Sequence, residues 1–237
     1  SNSTYQLSVQ FVQLTGGTGT VVACANDGGD KVSRDESRAR TSLSSVLNRS
    51  WDGTNIKVFG AKNEVVSFNL VLEAGNQAVN NLTVELSELS GPNGEKISSV
   101  AKSGNGVFDY NNRNIELFYV RYLKIEGLSR LSYGSYDERH IPKRFQRPWT
   151  GEGNGSGGWT DRPDHDKYYP DIAVPIEWVP SFNISANENQ SIWGDIYIPK
   201  SASAGLFTGT VLVKRGSTIV QSVPIRLDVK NFSLPDV

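Results

Sequence analysis

The feature that most constrains this chain is a period-two alternation of side chains that recurs along most of its length. Val66, Phe68, Leu70 and Leu72 alternate with Ser67, Asn69 and Val71. Leu82, Val84 and Leu86 alternate with Thr83, Glu85 and Ser87, and Ile115, Leu117, Tyr119 and Leu123 follow over a longer run. Ile192, Ile196 and Ile198 form the next, then Val211 and Val213, then Ile219, Val223, Ile225, Leu227 and Val229. Successive side chains of a strand point to opposite faces, so each run reads as a strand with one apolar face. Turn chemistry separates the runs: Gly91-Pro92-Asn93-Gly94, Gly104-Asn105-Gly106, Ala204-Gly205 and a hairpin loop at Lys214 to Thr218. The expected fold is all-β, a two-layer antiparallel β-sandwich of jelly-roll or immunoglobulin-like type with little helix.

Size permits such a core. A folded chain of 237 residues and 26.0 kDa hides roughly 70% of its extended surface, so neither disulfides nor metals are needed to hold it together. The single cysteine, Cys24 in Val21-Val22-Ala23-Cys24-Ala25, excludes an internal disulfide and reads as a small buried hydrophobe. A net charge of −1 argues against a general nucleic-acid binder, and no run of 18 apolar residues is present to span a membrane as a helix. The chain has no Met and opens on Ser1-Asn2-Ser3, which reads as a trimmed start with any signal peptide already removed. Of the N-x-[ST] sequons, Asn81 and Asn189 fall in or beside strands, so they read as strand composition rather than glycosylation.

Two segments break the alternation. Ser33 and Glu36 have capping-box spacing, and Val32, Ala39, Leu43, Val46 and Leu47 follow near helical intervals, so residues 33–47 read as a short helix or a solvated connector. Residues 1–54 are therefore N-terminal strands and connector, and residues 55–237 the sandwich. Within the sandwich, residues 131–169 form a long irregular loop. It carries Tyr133, Tyr136, Trp149, Trp159, Tyr168 and Tyr169, both histidines (His140 and His165), and the basic residues Arg139, Lys143, Arg144 and Arg147. Structureless loops this long are uncommon in compact domains and are often functional.

Chemistry-bearing groups cluster in that loop. Asp161, Asp164, His165 and Asp166 could hold a hard cation, but their spacing matches no metal motif, and Arg162 and Lys167 interleave as neutralising partners. An ion-paired loop is the simpler reading, with no metal and no cofactor. Asp137 and Glu138 are adjacent carboxylates, whereas glycoside chemistry needs two carboxyl groups on opposite sides of a bond. No G-x-S-x-G elbow, H-E-x-x-H helix or phosphate loop occurs. Tyr136, Arg139, Arg144, Trp149, Trp159, Asp161, Arg162 and His165 are the candidate interface or sugar-binding residues. Trp, Tyr and Arg are enriched at protein interfaces, and flat aromatic faces also stack on sugar rings.

Three segments carry a family resemblance. They are Ile56-Lys57-Val58-Phe59-Gly60-Ala61-Lys62-Asn63-Glu64 with its following strand, Leu82 to Ile97, and Asn189 to Pro199 running on through Ala204-Gly205-Leu206-Phe207-Thr208-Gly209-Thr210-Val211 to Phe232-Ser233-Leu234-Pro235. Over residues 55–237 the chain resembles the N-terminal β-sandwich region of proteins similar to glycoside hydrolase family 123 and a related bacterial group of unassigned activity. The resemblance implies a sandwich that precedes a (β/α)₈ barrel, the barrel holding an adjacent Asp-Glu pair for substrate-assisted cleavage of N-acetylgalactosaminides. No strand-helix alternation for a barrel follows here, and Asp137-Glu138 lies in the wrong context for that pair. The expectation is a non-catalytic accessory domain of a secreted or periplasmic carbohydrate-active protein. Its partner would be a C-terminal catalytic domain of the same protein, with a glycan as the alternative ligand and neither nucleic acid nor membrane as a partner.

Overall fold

The computed structural model describes residues 19–42, 44–100, 113–124 and 168–236. Two sheets pack face to face. The first has five strands in the order β1 (Val21–Asn26), β3 (Glu64–Ala74), β10 (Asn189–Ile198), β7 (Ile115–Lys124) and β8 (Tyr168–Pro175), each antiparallel to its neighbour. The second runs β2 (Ile56–Lys62), β12 (Thr218–Ser233), β11 (Gly205–Arg215), β4 (Val79–Glu85) and β9 (Phe182–Ile184). A small hairpin of β5 (Glu88–Ser90) and β6 (Lys96–Ser98) is attached to β11. Phe68, Leu70, Ile192 and Ile196 of the first sheet meet Phe207, Val211, Ile225 and Leu227 of the second in one buried core. Helix is confined, among the described residues, to single 3₁₀ turns at Ser44–Val46 and Ile176–Trp178.

One strand pair departs from the antiparallel expectation: β2 runs parallel to β12. Directly after β2, at Asn63, the chain leaves that sheet and enters β3 in the other. Asn63 takes a left-handed φ of 64°, a conformation Asn tolerates better than most residues. Its N–H donates to the Ile198 carbonyl at 2.7 Å, and its Oδ1 accepts from the Tyr197 hydroxyl at 2.8 Å. Glu64 closes the corner by accepting the Ala61 N–H at 2.6 Å, the backbone partner that a carboxylate at a strand entrance needs. Pro224 is tolerated within β12 because β2 first pairs at Ile225, so no ladder bond is lost on that side.

Three sequence expectations are corrected. Residues 33–42 form a connector rather than a helix, and it is solvated only in part, with Asp35, Arg40 and Thr41 exposed. They turn twice and pack on the outer face of the five-stranded sheet, burying Val32, Ser33 and Ala39. The alternation read in β3 also fails, because every residue from Phe68 to Ala74 is buried. Its second face lies under that connector rather than in water. Ile219, read as core, is 51% exposed. The register between β11 and β12 shifts at Val213/Lys214, pairing Val213 with Gln221 but Lys214 with Ile219, and the skipped residue turns Ile219 outward.

Candidate functional site

The loop residues nominated from sequence (Tyr136, Arg139, Arg144, Trp149, Trp159, Asp161, Arg162 and His165, with Asp137, Glu138, Asp164 and Asp166) lie outside the described residues, as does the Gly104-Asn105-Gly106 turn. Two aromatics of the same stretch are described. Tyr168 opens β8, where the Arg34 guanidinium sits 3.6 Å from its ring centroid and the Arg34 N–H donates to its carbonyl at 2.9 Å. Tyr169 pairs across to Leu123 of β7.

Polar chemistry among the described residues gathers on the outer face of the five-stranded sheet. Register aligns three rows across β1, β3 and β10: Val22, Glu73 and Asn189; Cys24, Val71 and Ser191; Asn26, Asn69 and Trp193. Glu73 is fully buried. Its Oε1 accepts the backbone N–H groups of Arg38 at 2.8 Å and Ala39 at 3.0 Å, and its Oε2 accepts that of Arg40 at 3.1 Å. Asn189 fastens the other side of the connector, donating through Nδ2 to the carbonyls of Ser33 at 2.9 Å and Glu36 at 2.6 Å. Its Oδ1 accepts from Tyr122 at 2.7 Å, and the Tyr122 oxygen in turn accepts the Ser191 N–H at 3.0 Å. Burial pushes the Tyr122 hydroxyl pKa up, against the hydrogen bonds from Ser191. Burial likewise pushes the Cys24 thiol up to about 12, aided by the negative charge of Glu73. A thiol so placed is not a nucleophile at neutral pH.

Beside this network the connector arches away and leaves a cavity of about 330 Å³, walled by Gly28, Lys31, Asn69, Asp171, Ser191 and Trp193 among others. An Asx turn sets the arch: Asn26 Oδ1 accepts the Gly28 N–H at 2.7 Å and Asn26 Nδ2 donates to the Asp30 carbonyl at 3.1 Å. Gly28 has a φ of +81°, and a Cβ there would lie 2.2 Å from the Trp193 ring, so only glycine lets the backbone approach the indole this closely. The opposite edge of the indole is held by a 2.6 Å bond from Nε1 to Asp195, which also accepts from Ser67 at 2.6 Å.

A third cluster lies at the end of β7, where Arg113 donates to Glu116 Oε1 at 3.2 and 3.1 Å and also bonds Glu177. Burial pushes the Glu116 carboxyl up while Arg113 pulls it down. Both carboxylates are spent on one guanidinium, the arrangement of a structural ion pair rather than of an acid and base facing a substrate. Among the described residues no three His, Cys, Asp or Glu side chains come together to hold a metal.

The outer face of the seven-stranded sheet differs in character. Arg49, Lys57, Phe59, Leu206, Arg226 and Lys230 border an open groove of about 460 Å³. Phe59 is 66% exposed there, and Phe232 and Leu234 are exposed near the last described residues.

No protein-family model matches the sequence, and no curated protein matches it. Among solved structures the chain is similar to a family 123 glycoside hydrolase from Clostridium perfringens, analysed for glycolipid glycan hydrolysis. The TM-score is 0.54 and the identity 18% over 91% of this chain. The chain spans 28% of that hydrolase's length. It also aligns with AvmM, which catalyses macrocyclization in alchivemycin A biosynthesis (TM-score 0.32, 10% identity, 80% of this chain and 99% of that one). The N-terminal domain of PorA aligns as well (TM-score 0.29, 9% identity, 90% of this chain and 100% of that one). The first of these matches shows a shared fold and a distant similarity to a family 123 chain.

Trp193 and Tyr197, which share one face of β10, are not among the residues that the sequence nominates for a site. The missed signal was the run of polar residues Asn69, Glu73, Asn189 and Ser191 at positions that share the side of Trp193.

Proposed function

We propose that this chain is a non-catalytic accessory sandwich of a larger carbohydrate-active protein and packs against a further domain of that protein. The observation that carries the reading is the fold match, which takes in 91% of this chain but 28% of the family 123 hydrolase. The groove at Phe59, with Leu206 beside it and Arg49, Lys57, Arg226, Asp228 and Lys230 around it, supplies an exposed apolar surface rimmed by charge, as a contact between domains requires. The site on that docked domain would do the chemistry, and the sandwich would hold it in place. A secreted or periplasmic setting belongs to this reading.

Two measurements test it. The isolated chain should not hydrolyse aryl N-acetylhexosaminides above background, and turnover by the purified chain overturns the assignment. In the longer parent polypeptide, amide exchange of Lys57–Gly60 and Arg226–Lys230 should slow relative to the isolated chain. Unchanged exchange there rules out this face as the contact.

A further inference from the structure

We propose that the cavity between Gly28 and Trp193 is a binding site for a single neutral pyranose ring. The proposal stands apart from the accessory role, since either can hold without the other.

The argument begins with the indole. Trp193 is half-buried on the outer face of β10, away from the core that Ile192 and Ile196 fill. It is fixed at both edges, by Asp195 at Nε1 and by the close approach of Gly28 at the six-membered ring. Rigid placement of a large apolar surface beside a cavity gives a ligand a flat wall at no ordering cost. The C–H face of a sugar ring is the complement of such a wall.

The cavity lining supplies hydrogen-bonding groups. Asn69 is 4% exposed, and its Oδ1 has no hydrogen-bond partner among the described residues. A buried acceptor without a donor is rare in folded proteins and calls for a partner; a ligand hydroxyl is one. The Ser191 side chain adds a second hydroxyl-compatible group, already aligned by Tyr122 at 3.3 Å. At the rim Lys31 and Asp171 pair at 2.8 Å, both about half exposed, so each retains hydrogen-bonding capacity toward a ring hydroxyl.

Charge and size narrow the class. Among the described residues that line the cavity, Lys31 balances Asp171 and Asp30 is balanced by Arg38 at 2.8 Å, so none of them offers an unpaired charge to an ionic ligand. Uronic and sialic acids are thereby disfavoured against neutral sugars. A volume of about 330 Å³ lies at the small end of ligand sites, enough for one ring and not for an oligosaccharide. Shallow burial and few contacts place the affinity in the millimolar range.

The test uses the whole chain, ¹⁵N-labelled, titrated with glucose, galactose, mannose, N-acetylglucosamine and N-acetylgalactosamine, with glucuronate and adenosine as contrasts. At least one neutral sugar should give saturable shifts confined to the amides of Gly28, Lys31, Asn69, Asp171 and Ser191 and to the Trp193 indole N–H. Asn69→Leu should weaken that sugar about tenfold, and Trp193→Ala should abolish its effect. Trp149→Ala and Trp159→Ala should leave it unchanged. The mapping on the unmodified chain stands even if a variant fails to fold. Absence of saturable shifts with every neutral sugar overturns the proposal. So does binding that survives Trp193→Ala in a folded variant, tracks Trp149 or Trp159 instead, or prefers glucuronate or adenosine.

Discussion

Strands β3 and β12 are both long and both apolar, yet they teach opposite lessons. From Val223 to Lys230, β12 keeps the alternation its sequence shows: Val223, Ile225, Leu227 and Val229 are buried, while Arg226, Asp228 and Lys230 are exposed. From Phe68 to Ala74, β3 is buried on both faces, although Asn69 and Glu73 interrupt it. Polarity on a strand therefore does not distinguish a face in water from a face under polar chain. The difference lies in what covers the second face. Over β12 the groove is open, whereas over β3 the connector lies with its backbone amides turned inward, and buried amides must be paired. Glu73 and Asn189 pair them.

The sharpest way to break this comparison is to remove the carboxylate that only β3 needs. Glu73→Ala strands three backbone N–H groups in a buried site. Each orphaned donor costs about 1–3 kcal/mol, and partial relaxation of the connector brings the expected loss to roughly 3–5 kcal/mol, the range for breaking a buried charged contact. Glu73→Gln should cost less, about 1–2 kcal/mol. Its amide oxygen can still serve Arg38 and Ala39, while its NH₂ faces the Arg40 N–H. Urea unfolding measures both. A loss under about 1 kcal/mol for Glu73→Ala means the connector is held by something else.

The same contrast explains how much was legible in the sequence. The sandwich was, because β4, β10, β11 and most of β12 each carry an apolar stripe bounded by turn residues. The corner at Asn63-Glu64 was legible only in part: a carboxylate at a strand entrance needs an Arg or a backbone N–H, and the structure supplies the Ala61 N–H. The path of residues 33–42 was not. Its Ser33 and Glu36 spacing suggested a helix cap, but Ser33 instead donates to Asp35 at 3.0 Å and Arg38 is drawn to Asp30 and Glu36. The decisive partner of that connector, Glu73, lies over thirty residues away, and local patterns carry no information about it. The cavity at Trp193 was missed for the same reason: Asn69, Gly28 and Asp171 meet only through the register of the five strands of that sheet.

A second prediction sharpens the comparison through pH. Cys24 lies beside Val71 under the connector, and burial holds its pKa near 12 against an ordinary 9.0. The unfolded thiol ionises first, so stability is intact below about pH 9 and declines as pH climbs toward about 12. By pH 10.5 the loss should be on the order of 2 kcal/mol. Cys24→Ala should remove that share of the alkaline decline and leave the part due to Tyr119 and Tyr122, whose pKa values burial also raises. At pH 8 the native thiol should resist a disulfide reagent that labels it promptly in urea. Fast labelling of the native chain would show that the connector opens readily.

The smallest effect belongs to the open face. Arg226 is exposed on β12 beside Lys57 of β2, and its neighbours along the strand, Ile225 and Leu227, carry the core contacts. No hydrogen bond or ion pair is observed for its guanidinium among the described residues. Arg226→Ala should therefore change the unfolding free energy of the isolated chain by no more than about 0.5 kcal/mol. That quiet result is informative because it separates the two outer faces: among the described residues, one is covered by its own chain and the other is not. The consequence should appear only where a further domain covers the groove. In the parent polypeptide, Arg226→Ala combined with Phe59→Ser should loosen the contact and restore fast amide exchange at Lys57–Gly60. If instead the single Arg226→Ala change destabilises the isolated chain by more than about 1 kcal/mol, the open face already supports the fold, and the distinction between β3 and β12 collapses.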